Sequence, residues 1–167
     1  MPRADGSSPE FRVGIGYDSH RFGPGDAVML GGVRISHPFA LVGHSDADAV
    51  AHAVTDALLG AAALGDVGAL FPDTDARNKN RDSIEMLTHA AKHVAGNGWA
   101  VSNVDITVVC EAPKVADHRE AMRTRLAGAL GVNVNAVWVK GKTNEQMGWI
   151  GRREGIAVIA VASISRG

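Results

Sequence analysis

The sequence predicts a two-layer α/β domain, in which a mixed four-stranded sheet carries helices on one face and a small β-hairpin lies beside it. Four runs rich in β-branched and apolar residues fit strands, and three longer segments with apolar residues at helical spacing fit helices. The last run, 155–164, is apolar at both parities, so both faces of that strand must be buried. The three helices can cover only one face of the sheet. The other is covered either by sheets packed inward in a symmetric homo-oligomer or by the rest of the same chain.

The first strand is predicted over 11–17, with Asp18 and His20 at its end. These residues are two positions apart, so in an extended chain their side chains point to the same side. They can share one metal ion, although a surface hydrogen bond between them would also account for the pair. The hairpin that follows pairs 28–30 with 33–35, because two glycines between them supply the positive φ of a tight turn.

The first helix is predicted over about 46–64, with Ser45 or Asp46 as its N-cap and Gly65 as its end. Gly60 within this helix indicates close packing against another element. The loop over 65–75 is rich in glycine, proline and aspartate, a composition typical of solvated turns. Because it closely follows the acidic helix, we expect it to cover a substrate.

Helices and strands alternate in the second half of the chain. Ile84, Leu87 and Ala91 form the apolar stripe of one helix, and Gly131 is a typical stop for the next. The elements expected here are a helix over about 82–95, a strand over 104–110, a helix over about 115–130, a strand over 136–140 and the final strand over 155–164.

The composition limits the classes of function. The 167 residues predict one domain over 11–167, with 1–10 as a disordered extension or a cloning remnant. Seventeen basic and eighteen acidic side chains give a net charge of -1, which gives no support to nucleic-acid binding. No run is apolar enough to span a membrane. The single cysteine, Cys110, excludes an intrachain disulfide framework and is compatible with the cytoplasmic location that we expect.

The stretch Gly43–Asp56 carries the strongest chemical signal. Asp48, His52 and Asp56 are spaced i, i+4, i+8 and would share one helix face. No lysine or arginine occurs from Gly43 to Phe71, so we infer that a bound cation neutralises these carboxylates. His44 and Ser45 would lie at a helix N-terminus, which favours a phosphate. The stretch therefore predicts a site that holds a metal ion and a phosphate.

Asp18, His20 and His52 together form a set of two histidines and one carboxylate. Tetrahedral zinc with an open position suits this set, and non-haem iron uses the same ligands, so the residue types alone leave the metal open. Asp56, one turn after His52, could accept a hydrogen bond from its imidazole and orient it. A hydrogen-bonded core histidine is the competing interpretation of His52.

A second polar cluster follows the strand at 136–140. Glu145 suits magnesium or manganese, which usually bind one carboxylate together with substrate phosphates; the alternative is an ordinary helix N-terminus with Thr143 or Asn144 as its cap. Glu111–Lys114 follows another strand. Polar loops at several strand ends predict one cleft at one edge of the sheet. The spacings of a Walker loop, a dinucleotide fingerprint, an EF-hand and a serine hydrolase elbow are all missing.

Taken together, these motifs resemble the 2-C-methyl-D-erythritol 2,4-cyclodiphosphate synthase family of the non-mevalonate isoprenoid pathway. The resemblance covers Arg12 to about Ser165. It rests on the segments 16–20, 30–32, 44–48, 52–66, 70–75, 112–114 and 151–152.

The resemblance implies a homotrimer with active sites between neighbouring subunits. The 2-phosphate of a cytidine diphosphate substrate would attack the β-phosphorus of its own CDP group, form a cyclic diphosphate and expel CMP. The active site then needs positive charge on two phosphates and no side-chain nucleophile. An isoprenoid diphosphate in the central cavity would be a further ligand, and neither nucleic acid nor membrane is an expected partner.

The resemblance also assigns roles to residues. Asp18, His20 and His52 would bind one zinc ion per subunit, and Glu145 would bind magnesium or manganese. His44, Thr143 and Glu145 would be the catalytic residues. The substrate-binding residues would be Asp18, His20, His44, Ser45, Asp66, Gly68, Phe71, Asp73, Cys110, Ala112, Pro113, Lys114, Ala116, Thr143, Asn144, Glu145, Trp149 and Arg152, with Arg152 towards the isoprenoid diphosphate.

Two other functions fit the ligands. A zinc-dependent phosphohydrolase of a nucleotide-linked substrate would use water as the nucleophile. A non-catalytic trimeric metal-binding module would bind the metal and no CDP nucleotide.

Overall fold

The computed structural model describes residues 9–167, so the extension predicted over 1–10 lies largely outside the described residues. The first strand begins at Glu10, one residue before its predicted start. The described strands are β1 (Glu10–Gly23), β2 (Ala27–Leu30), β3 (Val33–Ser36), β4 (Ala40–Leu41), β5 (Ala100–Val109), β6 (Val137–Lys142) and β7 (Gly155–Arg166). The described helices are α1 (Ala49–Ala62), α2 (Val67–Leu70), α3 (Ser83–Gly96), α4 (Arg119–Leu130) and α5 (Gly148–Gly151), with 3₁₀ turns at Ala76–Asn78, Val115–His118 and Val134–Ala136.

The strands form a five-stranded sheet in the order β4-β1-β7-β5-β6 and a two-stranded sheet of β2 and β3. The pair β5–β6 is parallel and the other pairs of the large sheet are antiparallel, so the mixed sheet and the hairpin are confirmed. The fifth strand, β4, was not predicted, because it has only two residues and pairs with the end of β1. No helix among the described residues is long and apolar enough to cross a membrane.

The helix α1 packs directly on β1 at two glycines. A Cβ on Gly14 would overlap the carbonyl oxygen of Ala57, and one on Gly16 would overlap that of Ala53. Gly14 and Gly16 are two positions apart in the strand, so both lie on the face of β1 that packs against the helix. The packing role predicted for Gly60 is wrong, since nothing in the described chain lies within 4 Å of a Cβ placed there.

The opposite face of the sheet is uncovered in the single chain. Phe11, Val13, Ile15 and Tyr17 of β1 are 70, 68, 71 and 56% exposed. On the neighbouring strand β7, Ile159 and Val161 are 40 and 38% exposed. The prediction that one chain could enclose the last strand is therefore wrong for these two residues. A contiguous apolar surface of this kind is typical of an interface.

Candidate functional site

The first turn of α1 differs from the predicted acidic face. Asp48 is the N-cap, in place of the predicted Ser45 or Asp46, and its carboxylate accepts hydrogen bonds from the backbone N–H groups of Val50 and Ala51. Gly31 and Gly32 also donate to it, at 2.8 and 2.6 Å. Four backbone donors thus satisfy this buried carboxylate, and no cation is needed there.

The cap has a consequence for phosphate binding. Because Asp48 takes the N–H groups of Val50 and Ala51, the helix end does not offer these donors to a ligand. The prediction that His44 and Ser45 bind phosphate through a helix N-terminus is wrong in this respect. Both residues precede the cap, and their side chains line the candidate cavity described below.

The prediction that Asp56 orients the imidazole of His52 is wrong. Its carboxylate accepts a hydrogen bond of 2.7 Å from the backbone of Val67, the first residue of α2. Burial is the largest influence on the Asp56 carboxyl and raises its pKa, although the Val67 N–H opposes the shift. Asp56 therefore anchors the short helix that borders the cavity.

Asp18, His20 and His52 do meet, and they can hold a metal ion. One ligand atom of each lies within 4.8 Å of the others. His20 Nε2 is 2.9 Å and His52 Nδ1 is 3.1 Å from the same oxygen, Asp18 Oδ2. Asp18 and His20 lie within β1, which continues to Gly23, so the prediction that the strand ends before them is wrong. The first turn of α1 supplies His52.

The ring of His20 supports a metal site. Its Nδ1 lies 2.8 Å from the carbonyl oxygen of Val42, and a carbonyl only accepts, so Nδ1 carries the proton. In the neutral ring Nε2 is then a bare lone pair. That atom is buried without a hydrogen-bond partner in the described chain, because its contact with Asp18 lacks hydrogen-bond geometry. A lone pair facing a carboxylate oxygen fits a cation bound between them.

The electrostatics of Asp18 point the same way. Burial by itself would raise the pKa of Asp18, but the imidazoles of His20 and His52, when protonated, outweigh it and lower the pKa to about 2. Burial also works against a charged His20, yet Asp18 raises the pKa of that imidazole. The pocket thus attracts positive charge, whether protons or a metal ion supply it.

A cavity of about 220 Å³ opens beside the three ligands. It gathers residues from the metal group, from the segment before α1 and from the loop after it. Those among them that the sequence predicts are His20, His44, Ser45, His52, Gly68, Phe71 and Asp73. Asp66 is not in its lining; it is the N-cap of α2 and accepts a hydrogen bond of 2.8 Å from Ala69.

A second cavity of about 440 Å³ lies between the end of β5 and the end of β6. Five residues predicted for the nucleotide line it: Cys110, Pro113, Lys114, Ala116 and Thr143. Ala112 instead borders an adjacent cavity with Phe22 and Phe39. Burial raises the pKa of Cys110 to about 11, so this thiol is neutral and is no nucleophile. In the described chain this cavity shares no lining residue with the one beside the three metal ligands.

Glu145 lies in an exposed turn between β6 and α5 and lines neither of these two cavities. Thr143 donates a hydrogen bond of 2.9 Å to its carboxylate. Glu111 fixes this turn. Its Oε1 accepts hydrogen bonds from the backbone N–H groups of Asn144 and Gln146, at 2.9 and 3.2 Å. Neither Thr143 nor Asn144 caps a helix, because α5 begins after Met147 and has no side-chain cap.

Trp149 and Arg152 line neither the cavity beside the metal ligands nor the cavity at the ends of β5 and β6. Trp149 is a residue of α5, and Arg152 ends that helix and pairs with Glu154 at 2.7 Å. A single chain therefore does not bring these two predicted residues to the metal group.

Sequence reasoning missed Ser83. This buried first residue of α3 places its hydroxyl oxygen 2.9 Å from His52 Nε2. Its position after Asp82 indicates only a helix start, and 31 residues separate it from His52. No local pattern could have joined the two.

Comparisons with known proteins show the family of the chain. The YgbB family model matches residues 11–165. Proteins named 2-C-methyl-D-erythritol 2,4-cyclodiphosphate synthase are similar: that of Gemmatimonas aurantiaca is 61% identical over 153 residues, 92% of each chain. That of Pseudomonas aeruginosa is 58% identical over 151 residues, 90% of this chain and 96% of the relative.

Solved structures show the same fold. The bifunctional IspDF of Campylobacter jejuni has a TM-score of 0.92 and 41% identity over 96% of this chain, which spans 43% of that longer protein. The CDP complex of IspF from Plasmodium falciparum has a TM-score of 0.83 and 31% identity, covering 96% of this chain and 99% of the other.

Proposed function

The chain belongs to the YgbB family of 2-C-methyl-D-erythritol 2,4-cyclodiphosphate synthases, enzymes of non-mevalonate isoprenoid biosynthesis, and from this premise we propose its reaction. It converts 4-diphosphocytidyl-2-C-methyl-D-erythritol 2-phosphate to 2-C-methyl-D-erythritol 2,4-cyclodiphosphate and releases CMP, as a phosphorus-oxygen lyase. The observation that carries the proposal is the convergence of Asp18, His20 and His52 on one point beside a cavity lined by His44 and Ser45.

Asp18, His20 and His52 hold one zinc ion per subunit in this proposal, and Glu145 holds magnesium or manganese. When bound, these ions supply the positive charge that offsets the repulsion between the reacting phosphates. The side chains of His44 and Ser45 contact a substrate phosphate, while Thr143 orients the Glu145 carboxylate through the hydrogen bond between them. The nucleophile is the substrate's own 2-phosphate.

The two cavities correspond to two parts of the substrate. Asp66, Gly68 and Asp73 hold the erythritol part, with Phe71 in the loop that covers it. The cavity at the ends of β5 and β6 holds the cytidine. The CDP complex of the Plasmodium falciparum relative supports a cytidine nucleotide as the ligand. The cytidine-side residues are Cys110, Ala112, Pro113, Lys114, Ala116, Thr143, Asn144 and Trp149.

The active protein is a homotrimer in this proposal, with each active site between neighbouring subunits. Two observations support it: the apolar face around Ile15 and Val161 is uncovered in one chain, and the two cavities share no lining residue in the described part. Arg152 binds an isoprenoid diphosphate in the central cavity. The cytoplasmic location stays a prediction.

Product analysis tests this function. Purified protein with a known zinc content is incubated with the cytidine diphosphate substrate, and products are separated by chromatography. The synthase yields CMP and the cyclic diphosphate in equal amounts. Linear phosphorylated products formed by water attack would instead identify a zinc-dependent phosphohydrolase. Zinc binding without turnover or CDP binding would identify a metal-binding module.

A further inference from the structure

The ring nitrogen of His52 that faces away from the proposed metal site, Nε2, belongs to a hydrogen-bond network with two serines and an aspartate. His52 Nε2 lies 2.9 Å from Ser83 Oγ and 3.0 Å from Ser45 Oγ. Ser83 Oγ in turn hydrogen-bonds to Asp46 Oδ1, and the Ser83 backbone N–H donates to Asp46 Oδ2 at 3.1 Å. The start of α3 and the segment before α1 are therefore joined directly behind the imidazole.

The direction of these bonds follows from the number of protons. A carboxylate only accepts, so the single proton of the Ser83 hydroxyl goes to Asp46. The oxygen of Ser83 is then left with lone pairs towards His52, so it can only accept a proton from His52 Nε2. On the other side of the ring, Asp18 Oδ2 lies 3.1 Å from His52 Nδ1 and also only accepts, so Ser83 and Asp18 compete for the one proton of the neutral imidazole.

We propose that Ser83, oriented by Asp46, is a positioning residue that keeps the His52 proton on Nε2 and so leaves Nδ1 free to bind the metal. His20 is fixed in the opposite tautomer by the Val42 carbonyl. The two histidines thus present different ring atoms to one ion, each held by a partner on its far side. Partners of this kind raise metal affinity by about 10–100-fold.

Zinc affinity of the metal-free full chain tests the proposal, by competition with a chelator of known affinity. Ser83→Ala is expected to weaken zinc binding by about 10–100-fold, and Ser83→Thr, which keeps the hydroxyl, is expected to bind like the unaltered chain. Asp82→Ala is the matched control. Asp82 directly precedes Ser83 and is the N-cap of α3, so its loss is expected to lower thermal stability without changing zinc affinity.

The tautomer itself can be measured by ¹⁵N NMR of the metal-free protein, at a pH where the imidazoles are neutral. His52, assigned by the loss of its signals in His52→Ala, is expected to be protonated at Nε2 in the unaltered chain. In Ser83→Ala this preference is expected to weaken, while His20 keeps its proton on Nδ1 as an internal reference. If Ser83→Ala does not fold, the unaltered chain still decides the question.

Two results would overturn the proposal: a Ser83→Ala protein with unchanged zinc affinity, which would mean that Ser45 suffices, or a His52 protonated at Nδ1 in the unaltered protein. The inference rests on the proposed metal site, and the two can fail separately. An unaltered chain that binds no zinc removes the metal site, whereas zinc binding insensitive to Ser83 removes only the positioning role.

Discussion

Gly16 of β1 lies against the carbonyl group of Ala53 in α1, so closely that a Cβ on Gly16 would overlap the oxygen. Ala53 follows His52 directly, and Asp18 comes two residues after Gly16 on the same side of the strand. The absence of one side chain thus allows the helix to approach the strand until the imidazole and the carboxylate meet. The metal group depends on this backbone contact as much as on its own ligands.

Replacing Gly16 by alanine is expected to separate α1 from β1. Overpacking of a tight core costs about 1–3 kcal/mol, and we expect a loss at the upper end, because the obstacle is backbone and not a movable side chain. Thermal unfolding at one protein concentration measures the stability, and a chelator competition measures the accompanying fall in zinc affinity.

The matched control is Gly60→Ala. Gly60 lies within α1, and nothing in the described chain is within 4 Å of the added Cβ. We expect a slight gain in stability, since alanine favours a helix over glycine by up to about 1 kcal/mol. Equal stability losses in the two variants would contradict the role given to Gly16.

Removing the imidazole of His52 is expected to abolish zinc binding and turnover while the fold and the trimer remain. The side chain lies at the edge of the cavity, so its loss opens space without disturbing the core. Elemental analysis and the CMP-release assay give the two readouts. His93→Ala on the exposed side of α3 is the control and should change neither. A zinc-free His52→Ala protein with full activity would refute the ligand assignment.

The sequence predicted most of the large elements, because each carries its own periodicity or cap. The alternation in β1 correctly placed Asp18 and His20 on one side of the strand. Helix spacing was a poorer guide at the start of α1, where Asp48, His52 and Asp56 share a face but have three different partners. Asp48 turns back to the backbone of its own first turn and of the hairpin, and Asp56 turns to α2.

What could not be predicted depends on contacts between distant segments. The two-residue strand β4 has no pattern of its own and forms only because the end of β1 extends far enough to pair with it. Ser83 reaches His52 because α3 begins beside the segment that precedes α1. The glycines that allow close packing were sought in the helix, at Gly60, whereas the strand supplies them.

Glu145 is expected to affect the second metal and leave zinc unchanged. Glu145→Ala should bind zinc normally and lose the response of turnover to added magnesium or manganese, because its carboxylate is separate from the Asp18 group. Glu111→Ala removes the acceptor that holds Asn144 and Gln146 and should raise the magnesium concentration that gives half-maximal activity. Glu85→Ala, on the surface of α3, is the control. An unchanged metal response in Glu145→Ala would remove this residue from the role.

The stability of the metal-free protein is expected to depend on pH through Asp18. Its pKa falls from 3.8 to about 2 on folding, so its contribution is present above about pH 4 and is lost as the pH falls towards 2. The raised pKa of His20 means that the contribution of this imidazole is present below pH 6.5 and is lost as the pH rises through its folded value. The pairing of Asp18 with His20 therefore stabilises the folded protein most between about pH 4 and pH 6.5.

The comparison of metal-free unaltered and Asp18→Asn proteins isolates this contribution. The difference in thermal midpoint should be largest near pH 5 and should shrink on both sides. His20 and His52 surround the carboxylate in the described chain, so an asparagine there removes the charge with little change in shape. A difference that does not vary from pH 3 to pH 8 would contradict the pairing.

The uncovered face of the sheet gives the test of the assembly. Ile15 is 71% exposed in the single chain and lies opposite Val161 on β7, in the middle of the apolar surface. In a trimer whose sheets pack inward, a buried unpaired carboxylate is strongly unfavourable, so Ile15→Asp is expected to give smaller species by sedimentation equilibrium. Thr124→Asp on the exposed side of α4 should leave the trimer intact.

The dissociated Ile15→Asp protein should still bind zinc, because one chain supplies Asp18, His20 and His52. It should no longer release CMP, because the two cavities are proposed to meet only between subunits. A monomeric Ile15→Asp protein with full turnover would place the whole active site within one subunit.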